Sequence, residues 1–303
     1  MSWTFDNIPD QTGRTAIITG ANTGLGFETA RMLAQRGAHV VLACRNLGKG
    51  SEALRRILEL RPSGSVTLES LDLSDLGSIA SFAQKTLATQ PRIDLLINNA
   101  GVMVPPRGKT AQGFELQFGT NHLGHFALTA PLLPRLAKQP GARVVVVASM
   151  AQRFGSISIE DPNWEHRRYN GWLAYGQSKL ANMMFALELQ RRLAAAGSGL
   201  IATAAHPGWT ATDLQRSDPM SNLFNPLLAM PVAKGALTTL RAATDPDVKG
   251  GSYSGPTGLA GMWGEPGEVS IPAKATDADI ASKLWAKSEE LTGVRYDFSA
   301  LGG

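Results

Sequence analysis

Short apolar runs alternate along the first two-thirds of the chain with longer segments that are apolar on one face only. A continuous apolar run is typical of a buried strand, whereas apolar residues that recur every three to four positions predict a helix. The runs that predict strands are Thr15–Thr19, His39–Ala43, Val66–Leu71, Ile93–Ile97, Arg143–Val147 and Leu200–Ala205. The segments that predict helices are Leu25–Arg36, Gly50–Leu60, Leu76–Ala88, Gln112–Lys138, interrupted near Pro131 and Pro134, and Leu173–Ala196.

Strands that are apolar throughout and separated by helices predict a parallel sheet with helices on both faces. We therefore predict an α/β fold, a doubly wound (Rossmann) parallel sheet in three layers, as a single domain over residues 1–303. Such a sheet binds ligands beyond the carboxyl ends of its strands. Three stretches depart from the alternation: an insert at about 152–172, a substrate-loop region at about 207–232, and an irregular region from Gly250 to Pro272.

Composition narrows the class of protein. The hydrophobic fraction of 43% and charged fraction of 18% suit a folded domain with a large core. The net charge is +4, but the clustered basic residues are isolated pairs, so we expect no nucleic-acid partner. Cys44 is the only cysteine, which excludes an intrachain disulfide and fits a reducing cytoplasm. We find no apolar leader and no run of about 18 apolar residues, so we expect neither a signal peptide nor a transmembrane segment.

Glycines cluster directly after the first predicted strand, where the next helix begins. The segment Thr19-Gly-Ala-Asn-Thr-Gly-Leu-Gly26 has the spacing Gly-x-x-x-Gly-x-Gly. Glycine permits a positive φ and a close approach of backbone to a pyrophosphate, and the helix N-terminus offers free N–H groups to the anion. This placement predicts a dinucleotide site, with a plain structural turn as the alternative. The residues expected to bind the cofactor are Gly20, Asn22, Thr23, Gly24, Leu25 and Gly26.

The end of the second predicted strand indicates which dinucleotide is bound. NAD-dependent enzymes of this fold place a carboxylate there for the ribose 2′-hydroxyl, whereas an arginine accommodates a 2′-phosphate. Cys44 occupies the acidic position, and Arg45 follows it. The pattern favours NADP(H) over NAD(H); the alternative is that Arg45 is only a solvated loop cation.

Tyr175 and Lys179 stand four residues apart in the last predicted helix, so they share one face of it. A free tyrosine has a pKa of roughly 10, and a nearby ammonium group lowers that pKa. Such a tyrosine can give or take a proton as hydride moves. Ser149 follows the fifth strand, where a hydroxyl facing the ligand is expected. The three residues predict a centre for hydride transfer to or from an alcohol or carbonyl.

The glycine turn, the segment Asn98-Asn99-Ala100-Gly101 and the tyrosine-lysine spacing together resemble the short-chain dehydrogenase/reductase family over nearly the whole chain. The resemblance implies that Ser149 binds the substrate oxygen and that Asn121 supports Lys179 through a water. It also implies that Lys179 hydrogen-bonds the nicotinamide ribose. The implied catalytic tetrad is Asn121, Ser149, Tyr175 and Lys179.

The same resemblance implies further cofactor contacts. They are Asp72 and Leu73 at the adenine, Asn99, Ala100 and Gly101 at the adenosine ribose, and Pro207, Gly208, Thr210 and Thr212 around the nicotinamide. Two plainer readings stay open. Asn98 and Asn99 could hold the strand end by side-chain hydrogen bonds, and Pro207-Gly208 could be a simple turn.

Within the family, the segment from Tyr169 to Asn182 resembles the retinol dehydrogenase and WW-domain oxidoreductase branch, many members of which act on lipophilic alcohols and aldehydes. The chain shows neither the N-terminal membrane anchor of the vertebrate retinoid enzymes nor a WW domain, which puts retinoid as the substrate in doubt. The insert carries Phe154, Trp164, Tyr169 and Trp172, and with the apolar loop Met220 to Met230 it predicts an apolar pocket. Core packing or a subunit interface is the alternative.

The sequence thus predicts a cytoplasmic, NADP-dependent oxidoreductase acting on a lipophilic aldehyde, ketone or alcohol, as a monomer or homo-oligomer. A reductase of carbon–carbon double bonds and a non-catalytic NADP-binding regulator are the alternatives. His122, His125 and His206 have no carboxylate or cysteine cluster at ligand spacing, so we expect no metal site.

Overall fold

A computed structural model describes residues 2–210, 229–299 and 301. Its described part contains an eight-stranded sheet in the order β3-β2-β1-β4-β5-β6-β7-β8. The strands, numbered β1 to β8, are Thr15–Thr19, His39–Cys44, Ser65–Ser70, Leu95–Asn98, Arg143–Val147, Ile201–Ala205, Tyr253–Gly258 and Trp263–Glu268. All neighbouring strands are parallel except β7 and β8, which are antiparallel. This order is the doubly wound arrangement that the sequence predicts.

Helices cover both faces of the sheet and bury an apolar core on each. The longer helices, numbered α1 to α7, are Gly24–Gln35, Leu47–Glu59, Leu76–Thr89, Gly124–Ala137, Gly171–Ala195, Val232–Thr244 and Ala278–Thr292. Side chains of α1, α2 and α6 form the core on one face, and those of α3, α4, α5 and α7 form the core on the other. Among the described residues, no helix is both long and apolar enough to span a bilayer.

The parallel register brings the carboxyl ends of four central strands to one edge. Thr19 ends β1 and Asn98 ends β4, while Val147 of β5 lies directly beside Ala205 of β6. Residues that follow these positions therefore share the edge where a doubly wound sheet binds its ligand.

The predicted helix Gln112–Lys138 differs from the structure at two points. Helical structure begins only at Leu116, and a π-helical stretch at Gly119–Leu123 precedes α4. The expected interruption near Pro131 and Pro134 is wrong, because both prolines lie inside α4. Leucines of α4 are buried against the sheet around these prolines, and this packing compensates for the backbone hydrogen bonds that proline cannot donate.

The prediction of an irregular region from Gly250 to Pro272 is also wrong, because β7 and β8 form a hairpin within it. Glycine and proline normally disfavour strands, but in this hairpin a contact with a distant part of the chain requires a glycine. A Cβ atom on Gly255 would lie only 2.0 Å from Nε2 of His206, so no larger residue fits beside that ring. The remaining predicted strands and helices match the observed ones to within three residues at their ends.

An aromatic cluster fixes the C-terminal segment to the body of the fold. The rings of Phe126, Trp285 and Tyr296 lie 4.6 to 5.0 Å apart, centroid to centroid. The Tyr296 hydroxyl donates a 2.6 Å hydrogen bond to the carbonyl of Phe126. This anchor places α7 beside α5, which carries Tyr175 and Lys179.

Candidate active site

The glycine turn after β1 has no room for side chains. Gly20 has a φ of +67°, and a Cβ there would lie 2.9 Å from the Cβ of Ala100. A Cβ on Gly26 would lie 2.5 Å from the carbonyl oxygen of Gly20. Gly24, with a φ of +56°, begins α1. The turn and the loop after β4 are therefore in direct backbone contact, and the N-terminus of α1 starts beside them.

A cleft of about 260 Å³ lies over this turn. Seven of the predicted cofactor residues line it: Gly20, Asn22, Arg45, Asp72, Leu73, Ala100 and Gly101. The other lining residues were not predicted from sequence: Thr19, Ala43, Asn46, Lys49, Leu71, Val102 and Thr120. Lys49 could have been predicted from the sequence, because it follows Arg45 by four residues and lies at the start of a helix.

The other predicted residues of the glycine turn lie at the start of α1 and do not line the cleft. Thr23 is the N-cap residue of α1, and Gly24, Leu25 and Gly26 form its first turn. The side-chain amide of Asn99 donates a 2.8 Å hydrogen bond to the carbonyl of Thr19. The side chain of Asn99 thus supports the alternative that this residue holds the strand ends by hydrogen bonds, since it joins the ends of β1 and β4.

Two cations face the cleft where β2 ends. Neither Arg45 nor Lys49 forms an ion pair with a carboxylate in the part of the chain that the structure describes. The Cys44 thiol is fully buried and accepts hydrogen bonds from the backbone N–H groups of Ala21 and Asn22. Burial raises the pKa of this thiol to about 11, so it stays protonated. The tight backbone cradle fits the pyrophosphate of a dinucleotide, and the two cations lie at its edge.

Ser149, Tyr175 and Lys179 meet at the end of β5. Ser149 directly follows Ala148 at this strand end, and its hydroxyl forms a hydrogen bond with the Tyr175 phenol. Tyr175 and Lys179 lie one turn apart on α5, and both are buried. Nζ of Lys179 donates a 3.0 Å hydrogen bond to the carbonyl of Val147 and lies 5.8 Å from the centroid of the Tyr175 ring.

Asn121 lies in the π-helical stretch and ties the loop after β4 to α5. Its Oδ1 accepts from the N–H of Val102 at 2.8 Å, and its Nδ2 donates to the Val102 carbonyl at 3.0 Å and to the Ser178 hydroxyl at 2.9 Å. A Cβ on Gly101 would lie 3.1 Å from Oδ1 of Asn121 and 3.6 Å from Nζ of Lys179. Because Gly101 has no side chain, the amide of Asn121 and the ammonium group of Lys179 can both lie against it.

Burial shifts the pKa values of the tyrosine and the lysine in opposite directions. It raises the pKa of Tyr175 to about 12, against a smaller lowering by the hydrogen bond with Ser149. It lowers the pKa of Lys179 to about 8, because the charged form loses its hydration. The expected lowering of the tyrosine pKa is thus not found in this geometry, where loss of hydration dominates.

The loop after β6 is described only in part. Gly208 has a φ of +68°, and the Thr210 hydroxyl donates a 2.7 Å hydrogen bond to the carbonyl of Pro207. The predicted cofactor contact Thr212 and most of the apolar loop Met220 to Met230 lie outside the described residues.

The four aromatic residues of the insert separate into two pairs. Trp164 is buried, and the hydroxyl of Tyr169 donates a hydrogen bond to Glu115, so this pair fixes the insert to the fold. Phe154 and Trp172 are 47% and 38% exposed, with ring centroids 6.5 Å apart. A Cβ on Gly176, the residue after Tyr175, would lie 3.0 Å from the Phe154 ring. The exposed pair therefore lies at the start of α5, the helix that carries Tyr175.

This edge combines a dinucleotide cradle with a hydroxyl, a phenol and a buried ammonium group, which is the equipment of a nicotinamide-dependent oxidoreductase. The sequence model of the short chain dehydrogenase family matches residues 14–222. The chain therefore belongs to the short-chain dehydrogenase/reductase family, whose members transfer hydride between a nicotinamide and a CH–OH or carbonyl group.

Retinol dehydrogenase 12 of Mus musculus is 41% identical over 289 residues, which cover 94% of this chain and 88% of that protein. The crystal structure of an uncharacterized protein from Mycobacterium paratuberculosis is 46% identical, with a TM-score of 0.84, and covers 98% of this chain and 100% of its own. A short chain dehydrogenase from Shigella flexneri, solved in complex with NADP, is 25% identical. Its TM-score is 0.63, and the match covers 80% of this chain and 97% of that one.

The low pKa of Lys179 predicts a pH dependence of stability. Its pKa is about 8 in the folded protein, against an ordinary value of 10.5. Between these values the unfolded chain binds more protons than the folded one, so this group makes folding more favourable as pH rises. From pH 8 to pH 10, the free energy of unfolding of the wild type should rise by roughly 2 kcal/mol relative to Lys179→Met. Urea denaturation of both proteins across this range measures the difference, and a constant difference would contradict the burial of a titrating ammonium group.

Proposed function

We propose that this protein is an NADP-dependent oxidoreductase that interconverts lipophilic aldehydes or ketones and their alcohols. The observation that carries the proposal is the placement of Ser149, Tyr175 and Lys179 at the carboxyl end of β5. Gly101 connects this group to the dinucleotide cleft, since it lines the cleft and also lies next to Nζ of Lys179. The reacting groups and the cofactor cradle are thus contiguous.

When bound, the nicotinamide supplies or accepts the hydride. The phenol of Tyr175, protonated at neutral pH because its pKa is about 12, donates its proton to the carbonyl oxygen of the substrate. Ser149, already hydrogen-bonded to that phenol, donates to the same oxygen and orients it. The ammonium group of Lys179 stabilises the phenolate that remains. In the alcohol-oxidising direction, the phenolate takes the hydroxyl proton back.

The preference for NADP rests on charge at the end of β2. Arg45 and Lys49 face the cleft, and the N-terminus of α2 lies between them and adds its dipole. The buried Cys44 thiol leaves no carboxylate at the position that NAD-dependent enzymes use. The Shigella flexneri neighbour, which was solved with NADP, supports the same choice.

The substrate class rests on the exposed aromatic pair at the start of the helix that carries Tyr175. Phe154 and Trp172 expose large apolar surfaces, and Leu173 next to them is 45% exposed. Apolar groups of a substrate would gain by covering these surfaces. The similarity to a protein named retinol dehydrogenase 12 agrees with a lipophilic substrate.

Removal of the Tyr175 hydroxyl should abolish most of the turnover. For Tyr175→Phe we expect kcat to fall by about 10²- to 10⁴-fold, because the proton donor is lost. The affinity for NADPH, measured by fluorescence titration, should change little. Tyr296→Phe, which removes a partly buried phenol hydrogen-bonded to the carbonyl of Phe126, is the matched control and should keep its kcat.

The assay follows NADPH oxidation with aldehydes, ketones and enones, and the products are identified. An unsaturated alcohol from an enal supports carbonyl reduction. A saturated carbonyl product would identify a double-bond reductase instead. NADPH binding without turnover of any substrate, unaffected by Tyr175→Phe, would identify a regulator.

Shortening the exposed aromatic residues should affect long substrates selectively. For Phe154→Ala and Trp172→Ala we expect KM for a long-chain aldehyde to rise about tenfold, consistent with the loss of 1–2 kcal/mol of apolar contact. KM for a short aldehyde should stay unchanged. Leu58→Ala removes a residue that is similarly exposed (49%) on the far helix α2 and serves as the control. Equal effects on both chain lengths would remove the basis for a lipophilic substrate.

The cation beside the cleft should set the choice of cofactor. Arg45→Ala should weaken NADPH binding by about 10- to 100-fold, which corresponds to one lost charge-assisted contact. Binding of NADH should change by less than about threefold, because NADH lacks the 2′-phosphate. Arg55→Ala, on the helix α2 that follows Arg45, removes a cation paired with Glu52 and Glu59 and is the control. A wild type that binds NADH as tightly as NADPH would refute the proposed preference.

A further inference from the structure

Thr19 lies at the centre of a hydrogen-bond network beneath the site. Its Oγ1 accepts from the backbone N–H groups of Asn99 at 3.0 Å and Ala100 at 2.9 Å. The same oxygen lies 2.9 Å from Nε2 of His125. Thr19, His125 and Asn121 are all fully buried, so each polar atom depends on its protein partners.

The geometry fixes the direction of each hydrogen bond. A hydroxyl has two lone pairs and one hydrogen, and here two N–H groups occupy the lone pairs. The Thr19 hydrogen therefore points to Nε2 of His125, since the alternative acceptor, the Ile97 carbonyl, is farther away at 3.4 Å. Because Nε2 accepts, the proton of the neutral ring is on Nδ1. That N–H donates to the backbone carbonyl of Asn121 at 2.9 Å.

The neutral form of His125 is consistent with its surroundings. Burial lowers the pKa of this imidazole to about 4, and the nearby charge of Lys179 acts in the same direction. The ring therefore keeps one proton and one acceptor across the physiological range. It links Thr19 and Asn121 through two different nitrogen atoms.

We propose that His125 is a positioning residue that couples the cofactor loop to the proton-transfer group. At one end the network holds the loop Asn99 to Gly101, which lines the cleft. At the other end it holds the carbonyl of Asn121, whose side chain lies with Nζ of Lys179 around Gly101. This inference rests on the proposed function, because it assigns His125 a role in that reaction.

The π-helical stretch explains why a side chain is needed at this point. In a π turn the backbone carbonyls pair five residues ahead rather than four, which alters their direction. Asn121 lies within such a turn, at Gly119–Leu123. The His125 ring supplies a donor to this carbonyl from one turn further along the chain.

Two pairs of substitutions test the proposal. An asparagine at 125 places an amide at the position of Nδ1, whereas a glutamine places one at the position of Nε2. His125→Asn keeps the donor to Asn121 and loses the contact with Thr19, so it should keep kcat within about threefold but weaken NADPH binding. His125→Gln should lower kcat by about 10- to 100-fold through misplacement of Asn121 and Lys179. Thr19→Val should lower kcat and also weaken NADPH binding, because it releases the cofactor loop, and Thr19→Ser should restore both.

Thr129→Val is the control for a merely structural effect. The Thr129 hydroxyl is also fully buried, donates to the backbone carbonyl of His125 at 2.7 Å and accepts from Nδ2 of Asn98 at 3.0 Å, but it bonds neither to residues 99–101 nor to Asn121. This variant should lose thermal stability and keep its kcat. All variants are compared by melting temperature, NADPH affinity, and the pH profiles of kcat and kcat/KM.

The proposal is overturned if His125→Gln and His125→Asn lose kcat equally, or if neither loses it while Tyr175→Phe is inactive. It is also overturned if kcat of the variants follows melting temperature alone, as Thr129→Val would reveal. An active Tyr175→Phe would instead refute the proposed function, so the two failures are distinguishable.

Discussion

The site depends on one close backbone approach, between the turn after β1 and the loop after β4. A side chain at Gly20 does not fit, because its Cβ would lie 2.9 Å from the Cβ of Ala100, so the backbone of the turn packs directly on Ala100. This contact lets α1 begin beside the strand ends, so the positive end of its dipole lies near the cleft. It also draws Gly101 against Asn121 and Lys179, and thereby joins the cofactor cradle to the reacting groups. A side chain at Gly20 would push the glycine turn away from the loop that contacts Asn121 and Lys179.

Burial sets the protonation states of Tyr175 and Lys179, in the part of the site that lies at the end of β5. The same loss of hydration that keeps the Tyr175 phenol protonated also makes the Lys179 ammonium group easier to discharge. The carbonyl of Val147 holds the lysine in place, and Ser149 contacts the phenol. A charge that develops on the phenolate therefore has one cation and one hydroxyl within reach in a medium of low dielectric, where such interactions are strong.

The sequence predicted what local pattern encodes. The central strands are buried on both faces, so their apolar runs were visible, and the glycine turn, Arg45 and the Tyr175–Lys179 spacing follow from short motifs. The hairpin of β7 and β8 was missed because its glycines and prolines disfavour strands locally, whereas Gly255 is required by contact with His206, which lies about 50 residues earlier in the chain. The contact between Thr19 and His125 spans 106 residues, and the thiol of Cys44 is occupied by backbone groups of another turn. No local pattern reports such pairings.

The burial of Cys44 affects how the protein withstands reactive compounds. Thiols react with oxidants and electrophiles as thiolates, and a pKa of about 11 leaves almost no thiolate at neutral pH. The side chain is also sealed from solvent. Carbonyl compounds are themselves electrophiles, so an oxidoreductase of this family gains from having its one sulfhydryl group out of their reach. The sulfur that supports the glycine turn is thereby protected from alkylation.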